Sequence, residues 1–243
     1  MTIMFPRRIQ KLIHDKSFDT GLRARLDEWA HSPNFVQFVN ENEHKIYDKL
    51  KSKPNDEDKR DIGIELYIAF AFSHINCHVI YEPNVPLIPR VPDFKISFGD
   101  NFFYLEVRRL RKYNPKLEDI RISKTTEERT YSIDNEKIFK KCGDIIFEKI
   151  RQTVPNAINL LYIRSYTLAD APNRWDLDVA VKNLMEWKDE DTHGFEEKIR
   201  HYKINSISEF DRYWKQLSAM VISRPTGLES QIWEGCITFL LKS

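Results

Sequence analysis

The sequence predicts an α/β (α+β) fold with helices packed on a central sheet, and three observations predict it. Apolar residues recur at helical spacing through the first sixty positions, as in "FVQFVNENEHKIYDKL". The stretch "IGIELYIAFAF" from Ile62 is apolar on nearly every side, the mark of a helix buried in a larger core. Beyond it the text alternates between strand-like and helix-like runs, which layers helices on a sheet.

The elements follow in order. Residues 1–58 read as a helical N-terminal segment of short helices, ending in a charged break, "KSKPNDEDKRD", over 51–61. Residues 59–243 read as the α/β domain. Within it "CHVIYEP" is a strand, "VPDFKISF" and "NFFYLEVRRL" form a hairpin, and "NEKIFKKCGDIIFEKIRQ" is an amphipathic helix. "AINLLYIRSY" and "SAMVIS" read as β, "DLDVAVKNLMEW" and "SEFDRYWKQL" as helices. "KDEDTHGFEEKIRHYK" reads as a solvated loop and "QIWEGCITFLLKS" as a final strand.

With 243 residues, 41% hydrophobic and 31% charged, the chain can bury a substantial core without disulfides or structural metals. A net charge of +1 excludes a global basic excess, though it leaves room for a local basic face. The three cysteines, Cys77, Cys142 and Cys236, lie too far apart in sequence for a disulfide framework and are expected as buried thiols of a reducing compartment. No signal-like segment and no run of 18 apolar residues is present, so a cytoplasmic location without membrane contact is the expectation.

The hairpin carries the chemistry. Alternation puts Asp93, Lys95 and Ser97 on one face of the first strand and Phe102, Tyr104, Glu106 and Arg108 on one face of the second. A two-residue turn at Gly99 and Asp100, with Gly first as type II′ prefers, pairs Phe98 with Asn101 and sets Asp93 opposite Glu106. Like charges directly opposed destabilise a sheet, so something positive must stand between them. A divalent cation answers that need, with the carbonyl of Val107 as a further oxygen donor, and so does the guanidinium of Arg108. Glu65 is the sole acid in the buried helix and needs a partner for the same reason.

A helix bearing a glutamate, a strand, "PD" opening the next strand and "E-V-R" near the end of a third resemble the PD-(D/E)XK nuclease superfamily with its restriction-endonuclease-like fold. The matching residues are Glu65, Pro92, Asp93, Glu106, Val107 and Arg108, within residues 61–166. The resemblance implies a mixed sheet flanked by helices and metal-dependent hydrolysis of phosphodiester bonds, in DNA first and RNA second. It implies Mg²⁺ or Mn²⁺ held by Asp93, Glu106, Val107 and Glu65, with Arg108 or Lys95 facing the scissile phosphate. Arg108 stands where the family has lysine, and an arginine stays protonated and cannot act as a base. Lys95, a diagonal neighbour of Glu106, is the candidate for a displaced lysine function.

Other patterns weigh less. Arg109, Arg111 and Lys112 of "RRLRK" are candidates for phosphate contacts, whereas Lys137, Lys140 and Lys141 suit a solvated helix face. "HINCH" at 74–78 lacks a second half at zinc-ligand spacing and reads as a helix end leading into a strand. Cutting both strands of a duplex would suit a homodimer with one site per strand. The competing reading is an inactive nuclease-like domain that binds nucleic acid or a protein, with Asp93, Lys95, Glu106 and Arg108 as a cross-strand charge mesh.

Overall fold

The structure, a computed structural model, describes residues 4–53, 55–86, 88, 90–110, 135–165, 174–225 and 235–241. The fold is α+β, a mixed sheet flanked by helices, as the sequence predicts. The chain forms two compact units, Met1–Arg108 with Gln152–Leu161, and Arg109–Arg151 with Tyr162–Ser243.

In the first unit, helices α1 (Arg7–Ile13), α2 (Thr20–Trp29), α3 (Pro33–Glu41) and α4 (Glu43–Ser52) precede the long α5 (Asp56–His74). The predicted helical segment thus shares its unit with α5 and with the strands that follow. Helices α2, α3 and α4 all pack on α5. Trp29 stacks on Phe70 at 5.3 Å between ring centroids, and Phe35 meets both edge-on. Trp29 and Phe35 are essentially buried, so this aromatic knot removes a large apolar area from water. Asp19 caps α2 by accepting from the Leu22 N–H at 2.7 Å and also accepts from Arg60 of α5 at 3.0 Å, which ties the cap to the core helix.

The charged break is shorter than predicted. Asn55 accepts the Asp58 N–H at 2.8 Å and starts α5 at Asp56, so most of 51–61 is helix. Acids near a helix N-terminus favour its dipole, which is why "DEDKR" prolongs the helix rather than interrupting it. Helix α5 ends at His74 and the chain enters β1 (His78–Tyr81) through Asn76 at φ 62°, as expected for "HINCH". Of the predicted buried thiols Cys142 is buried and Cys77, in the turn between helix and strand, is half-buried, while the side chain of Cys236 lies outside the described residues.

Strands β1, β2 (Phe94–Phe98) and β3 (Asn101–Leu110) form an antiparallel meander, each paired with the next. Phe98 pairs with Asn101 and Phe94 with Leu105, the register that the two-residue turn predicts. Gly99 lies at φ 58° while Asp100 has no positive φ, as a type II′ turn requires. One face of the meander is core: Val79, Tyr81, Phe94, Ile96, Leu105 and Val107 are buried.

The second unit contains α6 (Asn135–Lys149) with a closing 3-10 turn, α7 (Arg174–Glu190), α8 (Thr192–His201), α9 (Ile207–Gln216), β5 (Ala219–Pro225) and β6 (Gly235–Leu241); β4 (Asn159–Ser165) begins in the first unit and continues here. Strands β5 and β6 pair antiparallel, so the final strand is present. The solvated loop is corrected. "KDEDTHGFEEKIRHYK" holds the end of α7 and all of α8, because Asp191 caps Gly194 at 3.0 Å and Phe195 and Ile199, four residues apart, are fully buried. Phe195 packs edge-on against Phe147 and Phe210 at 5.6 and 5.2 Å. Two apolar residues on one face hold a helix whose other faces are charged.

Candidate active site

The acid pair forms where β2 begins. Asp93 lies one residue before Phe94, and extending the Phe94–Leu105 pairing by one places it opposite Glu106. The two carboxylates interlock through backbone rather than through each other. The Asp93 N–H donates to Glu106 Oε2 at 3.2 Å, and the Val107 N–H donates to Asp93 Oδ2 at 2.8 Å. Each acid therefore receives a peptide dipole from the strand that carries the other. Glu106 is only 6% exposed, so these bonds lie where an unpaired polar group would be costly. The positive partner that the sequence demands is supplied in part by amide dipoles.

Glu65 reaches the region from α5, and its surroundings differ. Glu65 Oε2 accepts from Lys49 Nζ of α4 at 2.9 Å and from the Tyr81 hydroxyl of β1. Lys49 also pairs with Glu82 Oε1 at 2.9 Å and lies over the Tyr81 ring, 4.6 Å from its centroid. Lys45 donates to the carbonyls of Tyr81 and Glu82 at 2.9 and 3.2 Å. Glu82 occupies the left-handed region at φ 45°, uncommon for a residue with a long side chain, and its N–H donates to the Asp93 carbonyl at 2.8 Å. That strained corner joins the cluster around Glu65 to the start of β2.

The electrostatics follow. Burial, and after it the negative charge of Asp93, raises the Glu65 carboxyl above its ordinary range, against the opposing pull of Lys49 and Tyr81. Burial alone would favour neutral Lys49, but the charge of Glu65 and the bonds to Glu65 and Glu82 outweigh it and keep the ammonium. Burial, then Glu65, pushes the Tyr81 hydroxyl well above the usual tyrosine range, so it is a hydrogen-bond donor here. The influence of Asp93 on Glu65 is the link between the two sets of acids.

The predicted residues are thus distributed. Asp93, Glu106 and Val107 come together, and Glu65 lies within electrostatic reach of Asp93. Lys95 is on the expected face, but its Nζ rests over the Phe102 ring, 4.2 Å from the centroid, on the turn side of Tyr104 rather than the Glu106 side. Arg108 is half-buried. Arg109 is 5% exposed, which withdraws it from the surface where a phosphate would be met. Arg111 and Lys112 lie outside the described residues, as do the side chains of Lys137 and Lys140; Lys141 is half-buried.

Sequence reasoning missed Lys49, Tyr81 and Glu82. Only Tyr81 left a trace, since it alternates with Val79 on the inward side of β1.

Asp93, Glu106 and the Val107 carbonyl are hard oxygen donors, which suits Mg²⁺, an ion commonly held by one or two carboxylates with waters and substrate phosphates. Among the described residues no group of three or more His, Cys, Asp or Glu side chains is placed to hold an ion. The donor set fits an ion completed by water and substrate rather than one caged by protein. No helix among the described residues is long and apolar enough to cross a membrane. No family model matches the chain, and neither the curated proteins nor the solved structures include a match to it.

Proposed function

We propose that the chain is a metal-dependent nuclease hydrolysing phosphodiester bonds, with DNA as the first substrate to test. The observation that carries this reading is the interlocked pair, Asp93 and Glu106, opposed across β2 and β3 with Glu65 within electrostatic reach. Such a pair attracts a divalent cation and, through it, a phosphate.

Asp93, Glu106 and the Val107 carbonyl would hold Mg²⁺ or Mn²⁺, which when bound lowers the pKa of a bound water and stabilises charge developing on the phosphate. Glu65, anchored by Lys49 and Tyr81, orients the attacking water. Arg108, a permanent cation two residues along β3 from Glu106, meets negative charge on the scissile phosphate. The backbone amides of Asp93 and Val107 fix the carboxylates before substrate arrives, and that preorganisation keeps the donor oxygens in place.

Purified protein incubated with plasmid, oligonucleotide and RNA substrates under Mg²⁺ and Mn²⁺ tests the reading. Cleavage that Asp93→Ala abolishes is the expected result. Absence of any cleavage sensitive to Asp93 overturns it.

A specific observation favours a second reading, an inactive nuclease-like domain that binds nucleic acid or a protein. Glu65 is already engaged by Lys49, and arginine stands in the lysine position of the motif. Gain of cleavage in Arg108→Lys over a silent parent chain would support this reading, and cleavage by the unaltered chain would refute it.

A further inference from the structure

The side of β1–β3 turned away from the core is laid out as a grid. His78, Ser97 and Phe102 form one row and Ile80, Lys95 and Tyr104 the next, by direct cross-strand pairing. The row after that holds Asp93 and Glu106. This side is open toward the turn, where Phe102 is 41% and Ile80 36% exposed and His78 is exposed, and it closes toward Glu106, 6% exposed.

Its chemistry is not that of an ordinary solvated sheet face. Phe102 and Tyr104 touch edge to face at 5.8 Å, and the Lys95 ammonium lies 4.2 Å from the Phe102 ring centroid. Aromatic rings interleaved with a cation match a chain that alternates π-faces with negative charges, which is what an unpaired nucleic-acid strand offers. A duplex hides its base faces in its own stack. Side chains on one face of a strand repeat every two residues, about 6.8 Å. A strand entering over Phe102 and Tyr104 therefore reaches Glu106 one step later, with Lys95 beside Tyr104 as the complementary charge on the way and Arg108 one step beyond Glu106.

We propose that this face seats a single-stranded segment of nucleic acid, its bases stacked on Phe102 and Tyr104 and a phosphate held by Lys95, leading to Asp93 and Glu106. The inference rests on reading Asp93 and Glu106 as the hydrolytic pair. It adds what that reading leaves open, namely that the substrate arrives with unpaired bases.

The test is fluorescence anisotropy of the full chain in EDTA with fluorescein-labelled oligothymidylate, oligouridylate and a duplex of equal length. Both single strands are expected to bind more tightly than the duplex, and any difference between them tells whether DNA or RNA is favoured. Phe102→Ala is expected to weaken single-strand binding by about tenfold, while Phe102→Tyr retains it. Lys95→Gln is expected to flatten the salt dependence by about 0.7 in log–log slope, one phosphate contact. Asp93→Asn is expected to bind as tightly as the parent chain or tighter.

Three results would overturn the proposal: Phe102→Ala and Tyr104→Ala binding like the parent, tighter binding of the duplex, or no oligonucleotide binding together with self-association abolished by Phe102→Ala. The last would assign the face to a second copy of this chain. Binding as expected without metal-dependent cleavage would fail the hydrolytic reading alone. Cleavage indifferent to Phe102 and Tyr104 would fail the platform alone.

Discussion

Glu65 and the Asp93–Glu106 pair are both carboxylates carried into partly apolar surroundings of the same unit, yet they are compensated by different means. Glu65 is met by a full positive charge, the Lys49 ammonium, and by the Tyr81 hydroxyl. Asp93 and Glu106 are met by peptide N–H groups, which orient them without neutralising them. The contrast separates two roles for buried acids. A cation beside an acid offsets its charge directly, whereas a peptide dipole orients a carboxylate and leaves more of its negative field for a further cation.

Breaking the Asp93–Glu106 pair should have the largest effect. Asp93→Ala and Glu106→Ala are each expected to lower metal-dependent cleavage by at least about 100-fold, beyond the usual cost of losing an outer-sphere group. Cleavage rates at saturating Mn²⁺ check this. Circular dichroism should show both variants folded.

Loss of the cation beside Glu65 should show in stability. Lys49→Met leaves Glu65, 15% exposed at its side chain, with its charge uncompensated. A loss of about 3 kcal/mol in urea unfolding is expected, the lower end for a broken buried pair because Lys49 itself is 29% exposed. Lys49→Met with Glu65→Gln should recover a good part of that loss, since no charge is then stranded.

The pH dependence sharpens the same contrast. Burial and the Asp93 charge raise the Glu65 carboxyl above its ordinary value of 4.5, so the folded chain holds that proton more tightly than the unfolded chain. The stability contributed by this group is complete below the unfolded value and falls as pH rises through the higher folded value. Denaturant midpoints compared with Glu65→Gln should therefore show the parent chain losing ground as pH rises above 4.5. A parent chain that gains on the variant over that window would contradict the assignment.

The smallest effect is expected at Tyr81. Tyr81→Phe removes one donor to Glu65 while the ring packing on Phe94, at 5.2 Å, is kept. About 1 kcal/mol should be lost in thermal or urea unfolding.

How far the site could be read in advance depended on whether its contacts were local. The opposition of Asp93 and Glu106 was legible because one turn sets the register: Gly99 at positive φ closes a two-residue loop, and alternation does the rest. The burial of α5 was legible because its apolar residues run round every side. The partners of Glu65 were not, because Lys49 lies 16 residues before it in another helix and Tyr81 16 residues after it in a strand. No periodicity relates those positions; only the packing of α4, α5 and β1 brings them together. Helix α8 was hidden for a different reason. Its charges outnumber its apolar residues, and only Phe195 and Ile199 reveal the buried face. The placement of Lys95 also escaped the sequence, since alternation gives its face but not which neighbour its long side chain chooses, and it lies over Phe102.

Asp93 and Glu106, each oriented by a backbone amide, are proposed to take up a divalent cation where β2 begins. Titration calorimetry of the full chain with Mn²⁺ tests it most directly. Saturable binding that is lost in both Asp93→Ala and Glu106→Ala and retained in Lys49→Met is the expected result. Binding of equal strength in the parent chain and in the two alanine variants, or no binding in the parent chain, would contradict it.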